Sequence, residues 1–514
     1  MEHADTAQLA ALGGALGAVL VLLAGSRAAG AGDEDGEPRG PGPTARFALL
    51  AGLALLAGTE LAFAFALGGG PLDRLNEASG AAALALGLAA VAAAAALFAQ
   101  RPALVPLAVL VTAPLRPPLQ FDSSSTLLVR AAEDGRLGRL LPLYFVLAAA
   151  ATALGWRTLR GREVRALPRE VAIPAAAFFA FACCSLVWAD DVEAGTNLLL
   201  FFTLPFVALL ATVARAEYPD WAPRWLAGAA LALASVFAAV GLWQAATHKL
   251  FFYAPNLAAS NANTDYFRVT SLFGDPSLYG RHVVLGIGVA LTLLATRRWR
   301  TWPLIALLAL MWAGLLFSYS QSSMIALLVI TLVLAVATGD GRVRRAVALL
   351  AALAIVAACA YVAVQVADGK SLNRITSDRT ERVQDATRVI EKHPIVGVGI
   401  AGQPRASRRL AHSDRPTPNF VSHTTPLTVF AELGAVGLAL YAWLLVGGAR
   451  LILRVRRRDE ALGLALGATF VGLFVHALFY SGFLEDPLTW LVLGIAAAYC
   501  AHPVPERRRE VAAA

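Results

Sequence analysis

The chain has 514 residues, of which 58% are hydrophobic and only 15% are charged, and its mean hydropathy is +0.63. These values exclude a soluble globular protein, which carries about 25% charged residues, and are typical of a polytopic membrane protein. The net charge is +8 at pH 7. We attribute it to arginines beside anionic lipid at the cytoplasmic surface and expect no nucleic-acid partner.

Apolar segments of spanning length recur along the whole chain. A spanning helix needs about 20 mostly apolar residues, so we predict an all-α transmembrane bundle of about 12 to 15 helices. The predicted spans are residues 7–24, 45–66, 80–98, 102–115, 140–156, 171–189, 196–214, 225–246, 277–295, 302–317, 320–337, 345–366, 426–447, 461–480 and 485–502. No Cys/His cluster has metal-ligand spacing, so we expect neither a metal nor a cofactor.

Arginine-rich loops alternate with acidic or neutral ones. Basic clusters lie within residues 157–169, 297–300, 342–345 and 454–458, whereas residues 188–197 and 480–487 carry carboxylates. Because basic loops stay in the cytoplasm, this alternation predicts that the long segment 367–425 lies outside. The predicted location is the cytoplasmic (inner or plasma) membrane.

Three segments outside the predicted spans define the domain organisation. Residues 1–366 hold the N-terminal transmembrane helices, with a Gly/Pro-rich flexible cytoplasmic linker at 25–46. Residues 367–425 form one large external loop, 426–502 the C-terminal transmembrane helices and 503–514 a cytoplasmic tail.

The large external loop contains a predicted helix over residues 379–392. Asp378 and Glu381 have the spacing of a capping box, and Val383, Ala386 and Ile390 form one apolar face. The other face is basic and carries Arg379, Arg382, Arg388 and Lys392. Two compatible interpretations stay open: the helix rests on lipid headgroups, or it covers a cavity that holds an anionic ligand.

Three stretches in chain order carry a family resemblance. RVTSLFGDPSLYG begins at Arg268 and RTERVQDATRVIEKHPIVGVGIAG begins at Arg379. They are followed by a histidine, a small polar residue, nine residues and Gly-x-x-Gly, from His423 to Gly437. With these stretches, residues 225–500 resemble the O-antigen ligase (Wzy_C) superfamily. The stretch SYSQSSM departs from the family, because Gln321 stands where the family has an arginine.

The resemblance implies a metal-independent glycosyltransferase of the GT-C class. It would transfer a glycan from a polyprenyl-pyrophosphate carrier to a hydroxyl of a glycan, lipid or protein acceptor, at the outer face of the bilayer. His423 would be the catalytic base or would orient the hydroxyl. Candidate ligands of the carrier phosphates are Arg268, then Arg281 and Arg379. Gln321 can donate a hydrogen bond there but brings no charge.

Glu432 lies inside the predicted span 426–447, and its role stays open between a structural carboxylate and a catalytic one. In a continuous helix nine residues turn about 900°, so His423 and Glu432 would face opposite ways. They converge only if the helix begins after His423, for example at Pro426. We expect Gly434 and Gly437 to pack closely against another helix.

Two other functions remain compatible with the sequence. A polysaccharide polymerase of the same superfamily would share the fold and the donor but use another acceptor. A transporter could use the membrane-edge residues Glu432, Glu60 and His476. Against transport, the sequence shows no pair of interrupted helices in two matching halves, and it has a long external loop that transport does not require.

Overall fold

The computed structural model describes residues 3–26, 42–67, 78–115, 140–162, 165–251, 255–264, 266–369, 379–480 and 482–501. Within these ranges the chain is built from α-helices, which confirms the predicted all-α class. Parts of three predicted elements lie outside the described residues: most of the linker 25–46, the tail 503–514 and Asp378 of the capping box.

The described part of the first half of the chain contains ten α-helices, most of them long and apolar. In chain order they are α1 (Ala4–Leu23), α2 (Pro43–Ala66), α3 (Ala78–Gln100), α4 (Leu104–Thr112), α5 (Leu141–Leu159), α6 (Arg169–Cys184), α7 (Val192–Leu198), α8 (Leu204–Ala214), α9 (Ala222–Thr247) and α10 (Pro255–Ala262).

The second half contains the helices that surround the site described below. They are α11 (Pro276–Ala295), α12 (Thr301–Leu316), α13 (Gln321–Thr338), α14 (Gly341–Ala367), α15 (Arg379–Lys392), α16 (Gln403–Leu410), α17 (Thr425–Arg458), α18 (Glu460–Phe479) and α19 (Pro487–Ala501). The predicted helix 379–392 is thus confirmed as α15.

Ten helical segments of the described chain are long and apolar enough to cross a membrane, and three shorter apolar helices accompany them. Each predicted span overlaps one of the helices. The predicted span 102–115 is too short to cross the membrane, because its helix α4 rises only about 14 Å, whereas the hydrocarbon core is about 30 Å thick. The chain is therefore a multi-pass membrane protein.

The bundle has two apolar cores. The larger one is formed by α1, α6, α8, α17 and α19 together with their neighbours. The smaller one lies among α9, α11, α12 and α13, and α18 joins it to the first. Because α17 and α18 pack against each other, residues at their adjoining ends are held in a fixed relative position.

Residues 379–424, called the loop segment here, connect α14 to α17 and fold back onto the end of the bundle. Helices α15 and α16 pack against each other and against α17. A small core of Val389, Val398, Ala406 and Ala431 joins the loop segment to α17.

Helix α17 is broken at Gly434, whose φ of 65° and ψ of −167° are not helical. The chain between α15 and α16 lies in this break. The N–H groups of Val398 and Gly399 donate to the carbonyls of Ala431 and Glu432. On the other side of the break, the N–H of Ala435 donates to the carbonyl of Pro394. The loop segment thus provides hydrogen-bond partners that the interrupted helix lacks.

This break corrects the predicted role of Gly434, the first glycine of the pattern. A Cβ on Gly434 would lie 2.1 Å from the carbonyl oxygen of Ile395, and one on Gly437 would lie 2.1 Å from the Cβ of Leu433. Gly434 therefore packs against the loop segment and not, as the sequence had predicted, against another helix, whereas the prediction for Gly437 is not tested by these contacts. The physical reason is that Gly434 adopts backbone angles that are essentially restricted to glycine.

Candidate active site

His423 lies just before the first residue of α17, and Pro426 occupies the first turn of that helix. The helix therefore begins after His423, as the sequence required for any convergence with Glu432. Two contacts fix the junction. The hydroxyl of Thr424 donates to the carbonyl of Leu478 at 3.0 Å, and the N–H of Ser422 donates to the side chain of Gln403 at 3.1 Å.

Helix α15 brings two arginines to this histidine. Arg379 and Arg382 are three residues apart and share one face of the helix. The Nη1 atom of Arg382 contacts the Nε2 atom of His423. Since a guanidinium only donates hydrogen bonds, Nε2 must be the acceptor and the ring proton lies on Nδ1. The Nδ1 atom is buried and has no hydrogen-bond partner among the described residues.

The surroundings of His423 favour its neutral form. Burial, with the charges of Arg382 and then Arg379, lowers the pKa of His423 to about 4. Burial and the charge of Arg382 also lower the pKa of Arg379. At pH 7 the imidazole is therefore uncharged and lies beside two cationic side chains.

Tyr480 connects His423 to a second histidine. Its ring centroid lies 6.2 Å from that of His423, with the planes 17° apart, and 5.7 Å from that of His476. The Nε2 of His476 lies 3.2 Å from the hydroxyl of Ser322, which in turn lies 3.1 Å from the hydroxyl of Ser320. A buried polar cluster thus extends from the junction into the bundle.

Arg268 is anchored at the edge of this cluster. Its backbone N–H and C=O are both bound by the side-chain amide of Asn261, at 3.0 and 3.1 Å. Its Nε donates to the carbonyl of Ser318 at 3.3 Å, and the hydroxyl of Ser318 accepts from the N–H of Ser320 at 3.2 Å. These contacts fix the base of the side chain.

The ion pairs separate the arginines into two groups. Within the described part of the chain, no carboxylate forms an ion pair with Arg268, Arg379 or Arg382. Arg281, in contrast, binds Asp486 at 3.0 Å, and both side chains are less than 5% exposed. A carboxylate of the protein already neutralises Arg281, whereas the other three can still neutralise an external anion.

Gln321 is the first residue of α13, and its side chain is exposed although Ser320 and Ser322 on either side are buried. It lies between two members of the serine cluster, and Ser318, whose carbonyl accepts from Arg268, precedes it by three residues. The role of Gln321 in the candidate site stays a prediction.

Glu432 has partners other than His423. It is 8% exposed, and the backbone N–H groups of Ala401 and Gln403 bind its carboxylate. Gln403 begins α16, so the carboxylate lies at the positive end of that helix. These contacts favour the structural interpretation of Glu432, in which it holds the loop segment against α17.

Sequence reasoning missed several polar residues of the site. The sequence identified Arg382 only as part of a basic helix face, because helical periodicity does not indicate which arginine contacts the histidine. Asp486 and Glu485 were seen only as loop charges. The structure buries Asp486 and leaves Glu485 half-buried. Desolvation of its carboxyl group raises the pKa of Glu485. The signal that could have found Asp486 is the Asp-Pro pair, a common start of a helix.

Ten helical segments long and apolar enough to span a membrane define the described chain as a multi-pass membrane protein, and a histidine beside two arginines lies where the folded loop segment meets the bundle. The comparison with known families agrees with this class. Residues 306–442 match the family model of O-antigen ligase (Wzy_C), which confirms the resemblance over that segment and indicates an O-antigen ligase-like membrane glycan transferase. The match includes Gln321, Arg379, Arg382, His423 and Glu432, whereas Arg268 and Arg281 precede it. No curated protein matches the chain.

Proposed function

We propose that this protein is a glycan ligase that transfers a glycan from a polyprenyl-pyrophosphate carrier to an acceptor hydroxyl at the outer face of the cytoplasmic membrane. The observation that carries the proposal is the pair of arginines without a carboxylate partner, Arg379 and Arg382, beside the neutral His423. A third such arginine, Arg268, lies at the edge of the adjoining serine cluster. Such a site has positive charge for a diphosphate and a group that can accept a proton near pH 7.

The reaction follows from these groups. The acceptor oxygen forms a bond to the anomeric carbon of the donor glycan while the bond from that carbon to the diphosphate oxygen breaks. The bonding electrons leave on the diphosphate, where Arg268, Arg379 and Arg382 stabilise the growing charge. The proton of the hydroxyl passes to His423. General-base catalysis of this kind is typically worth about 10²–10⁴-fold in rate.

The decisive experiment is transfer of a lipid-linked glycan by the full chain in reconstituted membranes. His423→Ala should lower transfer about 10²–10⁴-fold and leave carrier binding largely intact, because the arginines remain. Normal transfer by this variant would remove the base assignment. Absence of transfer and of carrier binding by the unmodified protein would overturn the proposal and favour the transporter.

The choice of acceptor separates ligase from polymerase. A ligase transfers the glycan to a different class of acceptor, whereas a polymerase extends a second copy of the lipid-linked glycan. Supplying the donor alone and measuring product length tests this directly. Growth of the chain without any other acceptor would assign the protein as a polymerase.

The outward orientation has its own test. Asp414 is exposed in the loop segment and Arg300 is exposed at the start of α12. In a variant without native cysteines, Asp414→Cys should react with an impermeant maleimide in intact cells, and Arg300→Cys only after permeabilisation. The reverse pattern would place the site on the cytoplasmic side.

A further inference from the structure

The contact with Arg382 prevents His423 from acting as a base, because it occupies the lone pair of the imidazole. A general base must offer a lone pair to the hydroxyl proton. The lone pair of neutral His423 is on Nε2, and this atom accepts the hydrogen bond from Arg382. The other nitrogen, Nδ1, carries the ring proton. Arg382 must therefore move away from Nε2 before His423 can accept a proton.

The groups that face His423 determine what could move Arg382. Arg379 and Arg382 approach from α15, and Tyr480 stacks on the ring from the end of α18, with His476 behind it. Among the described residues no carboxylate forms an ion pair with Arg382. The guanidinium of Arg382 thus has the neutral imidazole of His423 as its partner. A bound anion would compete with the imidazole for this guanidinium.

A diphosphate is a much stronger partner for a guanidinium than an imidazole is. A guanidinium presents parallel N–H donors that match phosphate oxygens in a bidentate way. Charge-assisted hydrogen bonds of this kind are roughly twice as strong as neutral ones. A carrier diphosphate that enters beside Arg379 would therefore take the guanidinium of Arg382 from the imidazole.

We propose that Arg382 covers the Nε2 atom of His423 until the carrier diphosphate draws its guanidinium away, so that the base forms only in the donor complex. This inference rests on the proposed function. It makes binding ordered, because an acceptor hydroxyl meets a competent base only after the donor has bound.

The charges act in the same direction as the geometry. Without a ligand, burial and the two arginines lower the pKa of His423 to about 4. A bound diphosphate neutralises the arginines, so the pKa should rise toward its ordinary value of about 6.5. The released Nε2 then takes the hydroxyl proton as the glycosidic bond forms, and the imidazolium is stabilised by the leaving diphosphate.

The test measures the pKa of His423 with and without a diphosphate. Diethyl pyrocarbonate acylates only neutral imidazole, so the pH dependence of labelling of the His423 peptide, followed by mass spectrometry, reports the pKa. The full chain in nanodiscs is compared with and without saturating inorganic pyrophosphate. Binding of a fluorescent polyprenyl pyrophosphate, and its displacement by inorganic pyrophosphate, is measured on the same samples.

Two variants complete the design. Arg382→Gln removes the charge and the guanidinium that covers Nε2. Arg415→Gln is the matched control: it removes one arginine of the same loop segment whose ion pair with Glu381, at 3.3 Å, is exposed on both sides. We expect pyrophosphate to raise the pKa of His423 in the unmodified protein and in Arg415→Gln. In Arg382→Gln the pKa should be higher from the start and should respond much less.

The outcomes separate the two proposals. If polyprenyl pyrophosphate binds and is displaced by inorganic pyrophosphate, but inorganic pyrophosphate changes neither the pKa nor the labelling of His423, the covering role of Arg382 is wrong. The proposed function then stands. An equal response in Arg382→Gln and in the unmodified protein would also overturn the covering role. If no carrier binds to the unmodified protein, the proposed function itself fails.

Discussion

The N–H of Gly399 donates a hydrogen bond of 2.8 Å to the carbonyl oxygen of Glu432. This bond joins the loop segment to the part of α17 that precedes the break at Gly434. The carboxylate of the same glutamate binds the backbone at the start of α16. Main chain and side chain of Glu432 therefore both hold the loop segment over the end of the bundle.

The break in α17 can be tested with Gly434→Ala. Backbone angles of this kind cost a non-glycine residue about 1–3 kcal/mol, and the new Cβ would also collide with Ile395. We expect a lower unfolding temperature and reduced glycan transfer. Gly58→Ala is the control, because a Cβ at Gly58 in α2 meets nothing within 4 Å. Equal unfolding temperatures for the two variants would contradict this account of the break.

The buried pair of Arg281 and Asp486 should be structural. Removing one partner of a buried ion pair typically costs about 3–5 kcal/mol, because the other charge stays buried without compensation. Arg281→Ala should therefore lower the unfolding temperature strongly. Arg281→Met combined with Asp486→Asn should recover much of it, since the asparagine oxygen can still accept the N–H of Leu488. A stable Arg281→Ala variant that fails to bind carrier would instead assign Arg281 to the donor.

Arg268 should behave in the opposite way. Arg268→Ala is expected to weaken binding of polyprenyl pyrophosphate without a large change in unfolding temperature, because it breaks no ion pair. Arg268→Lys should restore binding only in part, since a planar fork is replaced by a point charge. Arg405→Ala, an exposed arginine of α16, is the control. Unchanged binding in Arg268→Ala would move the phosphate site to α15.

The two substitutions of Glu432 should differ in severity. Glu432→Gln keeps an oxygen that can accept the N–H groups at the start of α16, so transfer should fall only modestly. Glu432→Ala leaves buried donors unpaired, which typically costs about 1–3 kcal/mol each, and should lower both the unfolding temperature and transfer. A stable but inactive Glu432→Gln would show that the carboxylate takes part in catalysis.

The lowered pKa of His423 predicts how stability depends on pH. In the unfolded chain the pKa is about 6.5, whereas in the folded protein it is about 4. As the pH falls through this window, the unfolded chain binds a proton first, so the free energy of unfolding decreases. His423→Gln should lose this part of the decrease between pH 7 and 4. His412→Gln, which removes an exposed histidine of the same segment, should keep it.

The sequence predicted the all-α class and the helix α15 because apolar length and helical periodicity are local properties of the chain. A helix start after His423, for example at Pro426, was the condition for convergence with Glu432, and the structure has this start. Other features depend on distant contacts: the break at Gly434 requires the chain near Ile395, and the burial of Arg281 requires Asp486. A pattern of residues contains no information on which of several arginines an adjoining helix will present to the histidine. For that reason Arg382 could be identified only from the structure.

The interrupted helix also limits where segments of this chain can be exchanged with those of a relative. The hydrogen-bond donors and acceptors that close the break lie on both sides of the point where the loop segment enters α17. A recombination between two relatives at that point would combine a loop with a helix that had not evolved to receive it. Residues 393–437 should therefore be exchanged as one block, and a chimera that is meant to acquire a new acceptor should have its crossover beyond Gly437.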